Sequence, residues 1–156
     1  MSAFFTRPAV FRLAMSWYPP YWGSGIRVAE VSPDFRRVVV QMRQHRLNRN
    51  AFGTHFGGSL YAMCDPFYVL QLVALLGGDY LIWDKAARID FLRPGRGTVR
   101  AVFEWDEAQL VQIRAQTADG AKYEPERVVE IRDAQDELVA RVHKTLYVRR
   151  KKQARG

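Results

Sequence analysis

The feature that most limits what this chain can fold into is the run from Ser59 to Leu76, where nearly every residue is apolar. It is too long for one strand and shows no alternation. A helix that is apolar on all sides belongs in a core or in a membrane. Asp65, Pro66 and Gln71 interrupt the run and speak against a membrane span. A buried helix follows, and a sheet must wrap it.

Asp65 does not suit a plain core helix. A buried carboxylate is costly unless it is hydrogen-bonded, paired or set in a polar cleft. Pro66 follows it, and proline inside a helix removes a backbone donor and kinks the axis. Two readings stay open. Asp65 is a functional acid beside a break, whose pKa burial would raise, or it caps a second helix starting at Pro66. Gly53, Gly57 and Gly58 precede the run. A helix start carries free amides and partial positive charge, which polarise a carbonyl or hold an anion. Gly58 and Asp65 are two turns apart, about 10 Å along one helix face if the helix is continuous.

Strands surround this element. Ile26–Val31 and Arg36–Arg43 alternate around the turn Ser32-Pro33-Asp34, and the second strand has a basic outer face. Gly77 and Gly78 end the helix. Ile82–Leu92 reads as a long strand and Thr98–Trp105 as a clear one, with Val99, Ala101, Phe103 and Trp105 on one side. Residues 106–116 fit a short helix or another strand. Arg127–Arg132 and Leu138–Val148 form a hairpin. Ahead of all this, Pro8 starts a helix that Pro19 and Pro20 end. That helix packs on the domain, lids a substrate tunnel or touches a membrane surface. Residues 1–25 thus form a lead-in, 26–149 one α+β domain and 150–156 a basic tail.

The net charge of +8 favours anionic partners. Much of it lies in Arg149, Arg150, Lys151, Lys152 and Arg155, a run that also suits a solvated tail. Aromatics do not interleave with it and no helix-turn-helix is visible, so nucleic acid is not the expected partner. One cysteine excludes an internal disulfide framework, and Cys64 in an apolar run is a packing residue before it is a nucleophile. His45, His55 and His143 are scattered, and no metal-ligand spacing appears. No secretory signal is read at the start, because Arg7 and Arg12 break the apolar stretch. The expected compartment is the cytoplasm, with no stable membrane insertion.

One apolar helix gripped by an antiparallel sheet resembles the hotdog fold. Asn50, five residues, Phe56-Gly57-Gly58, six residues, Asp65 is similar to the PaaI-type thioesterase pattern of Asn, five residues, His-Gly-Gly, six residues, Asp. Phe91-Leu92-Arg93-Pro94 followed by Gly97 resembles the strand and turn that come next in those enzymes. Gly53-Thr54 and Phe56-Gly57-Gly58-Ser59-Leu60 look closer still to an uncharacterised bacterial hotdog family known only as thioesterase-like. The resemblance covers residues 26–149.

It implies hydrolysis of an acyl-coenzyme A thioester, with no cofactor beyond the coenzyme A of the substrate. It casts Asp65 as general base or nucleophile, the Gly58 amide as the carbonyl-polarising group and Asn50 as the residue that orients water or carbonyl. His55, Phe56 and Gly57 would line the substrate site, and Arg93 and Arg96 would meet the coenzyme phosphates. Sites of this kind lie between two subunits, so a homodimer or a dimer of dimers is implied. Phe56 departs from the pattern by replacing its histidine, and His55 sits one place earlier. The alternative is therefore a protein that binds acyl-coenzyme A or fatty-acyl groups without cleaving them.

Overall fold

The computed structural model describes residues 2–151. The last five residues of the expected basic tail lie outside the described residues. Helix α1 spans Pro8–Ser16 and α2 spans Pro19–Trp22. Strands β1 (Ile26–Val31) and β2 (Arg37–Arg43) follow, then α3 (Gly57–Ala62) and α4 (Phe67–Leu76). The chain continues through β3 (Tyr80–Phe91), β4 (Thr98–Glu104), α5 (Glu107–Gln116), β5 (Lys122–Tyr123), β6 (Glu126–Arg132) and β7 (Leu138–Arg150). Pro19 and Pro20 do more than stop α1: they occupy the first positions of α2, where a missing amide costs nothing.

The sheet runs β1-β2-β4-β6-β7-β3, every pair antiparallel, with the short β5 pairing β7. The edge strands are β1 and β3, so the chain crosses the sheet between β2 and β3, and α3 and α4 make that crossing. The inward side chains follow the period of two. Val38, Val40 and Met42 of β2 and Val99, Ala101 and Phe103 of β4 are buried, as are Ala140, Val142, Leu146 and Val148 of β7. Each large one stabilises by about 1.5–3 kcal/mol relative to exposure. Leu60, Met63, Cys64, Phe67, Tyr68 and Leu72 of the crossing segment pack against them. The stretch Gly57–Leu76 is long and apolar enough to cross a membrane, but in this fold it is the core element under the sheet.

Gln71 is fully buried and donates through Nε2 to the carbonyls of Phe35 (3.0 Å) and Phe103 (3.3 Å). Phe35 has φ +60°, and its carbonyl finds in Gln71 the partner that a turn leaves wanting. Residues 107–116 resolve as a helix because Asp106 and Gln109 form a capping box. Gly77 ends α4 with φ +81°, a conformation that favours glycine.

Candidate functional site

Two neighbourhoods carry the expected residues. The first is the glycine loop between β2 and α3. Asn50 builds it. Its Oδ1 accepts the amides of Phe52 (2.9 Å) and Thr54 (3.1 Å), and its Nδ2 donates to Thr54 Oγ1 (2.9 Å) and the His55 carbonyl (3.2 Å). All of its polar capacity goes into the loop, so it shapes the site from beneath. Gln44 ties this loop to the β3–β4 turn: its Nε2 donates to the Gly53 carbonyl (3.2 Å) and its Oε1 accepts the Gly97 amide (3.2 Å). Arg96 reaches the same Gly53 carbonyl at 3.1 Å.

His55 is turned inward and buried. Its Nε2 lies 3.0 Å from the Gly97 carbonyl, which only accepts, so Nε2 carries the proton. Nδ1 is buried without a partner, and burial holds the ring below its ordinary pKa, the carbonyl contact opposing. His55 is thus a neutral tether between the loop and the turn, and does not stand in for the missing histidine at Phe56.

Phe56 is exposed and its ring covers Gly58, where an added β-carbon would stand 2.4 Å from it. Phe91 covers Gly57 in the same way, at 2.9 Å. The α3 start is therefore glycine because two phenyl rings rest on its backbone. Ser59 and Leu60 donate to the Phe56 carbonyl (3.0 and 3.1 Å), and the amides of Gly57 and Gly58 precede the first intrahelical bonds. A cavity of about 580 Å³ opens here, lined by Asn50, His55, Gly57, Arg93 and Arg96 among others. Arg93 is held by Asp133 (2.7 Å) and Glu137 (3.0 Å).

The second neighbourhood is Asp65. The crossing helix does not run through it. From Met63 to Pro66 the chain turns, and α4 resumes at Phe67 with no side-chain cap. Asp65 is therefore neither mid-helix nor a cap, and the single face shared with Gly58 is broken. Nor is it buried: its side chain is 52% exposed. Its Oδ1 accepts the Tyr61 hydroxyl at 3.0 Å and lies 3.7 Å from Lys144 Nζ. Burial, and then Asp65 itself, push the Tyr61 phenol well above its ordinary pKa, so it stays a donor. Asp65 borders an apolar groove of about 510 Å³ whose walls include Met15, Tyr18 and Tyr21 of the lead-in and Tyr61 and Leu70 of the crossing segment. Within one chain the structure thus places Gly57 and Asp65 in different cavities. Cys64 is fully buried and its thiol is pushed up to about 12 by desolvation, which fits a packing residue.

Sequence reasoning did not single out Gln44, Lys144 or Asp84. Lys144 is buried in β7 and paired with Asp84 at 2.7 Å. Its signal was parity: it shares the inward set with Val142 and Leu146.

An antiparallel sheet around one crossing helical segment defines a hotdog-fold protein. The profile of a family described as "Domain of unknown function (DUF4442)" matches residues 6–148, and the chain belongs to that family. Among solved structures, PA5026 from Pseudomonas aeruginosa, of unknown function and called a probable thioesterase, is 22% identical at TM-score 0.77 over 91% of this chain and 95% of its own. Thioesterase HI1161 from Haemophilus influenzae is 15% identical at TM-score 0.64, over 95% and 94%. The E. coli PaaI protein from the phenylacetic acid degradation operon is 18% identical at TM-score 0.59, over 87% and 86%. Likeness at these identities is one of fold. A search of curated proteins gave no match.

Proposed function

We propose that the protein hydrolyses acyl-coenzyme A thioesters at a site assembled from two copies of the chain. One observation carries the reading: an accessible carboxylate, Asp65, stands at a helix break on the rim of an apolar groove, at the motif spacing from a glycine helix start. In this reading Asp65 of one copy faces the glycine cavity of the other. The Gly58 amide polarises the thioester carbonyl. Asp65 removes a proton from water as the water oxygen attacks the carbonyl carbon, or attacks that carbon itself to give an anhydride that water opens. The C–S bond breaks, and the coenzyme A thiolate leaves and takes up a proton. The apolar groove beside Asp65 takes the acyl group, and Arg96 lies on the cavity side where coenzyme phosphates would arrive. The assembly is a homodimer or a dimer of dimers working in the cytoplasm, where a free, buried cysteine is at home.

The second reading, binding without cleavage, is favoured by Phe56, which puts an exposed phenyl ring where the motif has a histidine. Release of free coenzyme A from short, long and aromatic acyl-coenzyme A substrates separates the two, with Asp65→Asn beside wild type. Turnover that disappears in a folded Asp65→Asn protein supports hydrolysis. Saturable binding with no release supports the carrier.

A further inference from the structure

Lys144 lies on the inward face of β7, between Val142 and Leu146, with a side chain that is 0% exposed. An ammonium is rarely buried unless its donors and its charge are met. Here they are. Nζ donates to Asp84 Oδ2 at 2.7 Å, to the Cys64 carbonyl at 3.4 Å and, through a short contact, to the Asp65 carbonyl. It stands 3.7 Å from Asp65 Oδ1 and 5.8 Å from the centre of the Tyr61 ring.

These contacts fall where the crossing helix is broken. Pro66 has no amide to offer the carbonyl of Ala62. That carbonyl takes the Asp65 amide and the Tyr21 hydroxyl, each at 3.4 Å. Of the carbonyls within the break, those of Cys64 and Asp65 are the two that Lys144 takes. A lysine from β7 thus bonds two carbonyls that the break leaves without helical partners, while Tyr21 and the Asp65 amide take the one that proline deprives.

We infer that Lys144 is the positioning residue for Asp65: from β7 it holds the break between α3 and α4 in the one shape that presents the Asp65 carboxylate at the groove rim, with the partly buried Asp84 as its counterion. This rests on the reading of Asp65 as the reacting acid. The rival account makes Lys144 the neutraliser of Asp84 and nothing more. On that account, removing both charges together is harmless.

The two accounts part in the double variant Lys144→Met, Asp84→Leu. Lys144→Met alone strands the partly buried Asp84 carboxylate and lowers the melting temperature, so it decides nothing by itself. The double variant recovers part of the melting temperature that Lys144→Met loses, because the charge imbalance is gone while the carbonyl bonds stay lost. Its kcat nevertheless falls by about 100-fold, the scale of a misplaced catalytic group, with KM moving far less. Hydrogen exchange at the amides of Phe67–Leu70 speeds up while β6 and β7 keep their rates. Asp84→Asn, which leaves Lys144 on the two carbonyls, keeps kcat within a few-fold of wild type. Wild-type kcat and exchange in the double variant would overturn the inference, as would an equal loss in Asp84→Asn. Should wild type release no coenzyme A from any substrate, the thioesterase reading fails, and the exchange rates still decide whether Lys144 holds the break.

Discussion

Phe91 lies over Gly57 so closely that a β-carbon there would stand 2.9 Å from its ring. Replacing Gly57 by Ala adds helix propensity worth up to about 1 kcal/mol and forces the ring aside. Phe91 is more than half exposed, so the ring has room to swing. The expected outcome is a melting temperature within about 3 °C of wild type and a severalfold rise in KM for acyl-coenzyme A. A thermal melt and one saturation curve measure both. An unchanged KM would show that the Phe91 ring does not shape the substrate cavity.

Tyr61→Phe removes the one hydroxyl that Asp65 accepts, at 3.0 Å. Tyr61 is half-buried at the groove, so the stability cost is about 0.5–1.5 kcal/mol. A hydrogen bond to a charged group is stronger than a neutral one, and under the proposed mechanism its loss at Asp65 lowers kcat by about tenfold. Steady-state kinetics check this; a kcat equal to wild type would place Tyr61 outside the mechanism.

Stability carries a histidine signature. Burial holds His55 below its ordinary value of 6.5, and Nδ1 has no partner to receive it as a donor. Below pH 6.5 the unfolded chain binds a proton at this residue that the folded chain refuses. The associated stability is present above that pH and is lost as pH falls through the lower, folded pKa. Urea midpoints should therefore drop between pH 7.5 and pH 5, and the drop should be smaller in His55→Gln. Equal drops in both proteins would assign the acid sensitivity elsewhere.

The groove beside Asp65 is walled partly by Tyr18 and Met15 of the lead-in. Tyr18→Ala widens it and should move the best substrate toward longer or bulkier acyl groups. Leu70→Trp narrows it and should move the optimum toward shorter ones. The ranking of kcat/KM across a chain-length series reads both; identical rankings would place the acyl group elsewhere.

Much of this molecule is legible in its residues, because its strongest signals are periodic. The run from Ser59 to Leu76 had no option but the core, and Val99, Ala101 and Phe103 all turned inward as their alternation requires. The glycine pair and Asp65 stand at an element start and an element break, the places that glycine and an Asp-Pro pair mark in a sequence. What sequence left open depends on competition in three dimensions. Asp65 and Pro66 fit both a kink and a new helix, and the structure chose a turn because Tyr21 and Lys144 reach in to satisfy it. Residues 106–116 carry only a narrow apolar stripe, Leu110 and Ile113, which turns into the core behind the Asp106–Gln109 cap. Lys144 escaped notice because a charge in a strand reads as outward-facing, although its parity put it inside.

Tyr21 ties the lead-in to the core. It belongs to the lead-in, yet it is buried, and its hydroxyl serves the Ala62 carbonyl in the middle of the crossing segment. Phe11 sits in the same core and meets Phe35 edge-on, 5.7 Å between ring centres. The lead-in and the sheet domain therefore share one core and should melt as one unit. A shortened protein starting at residue 26 would expose a cleft in its own core, and its behaviour would report on that wound rather than on the intact fold.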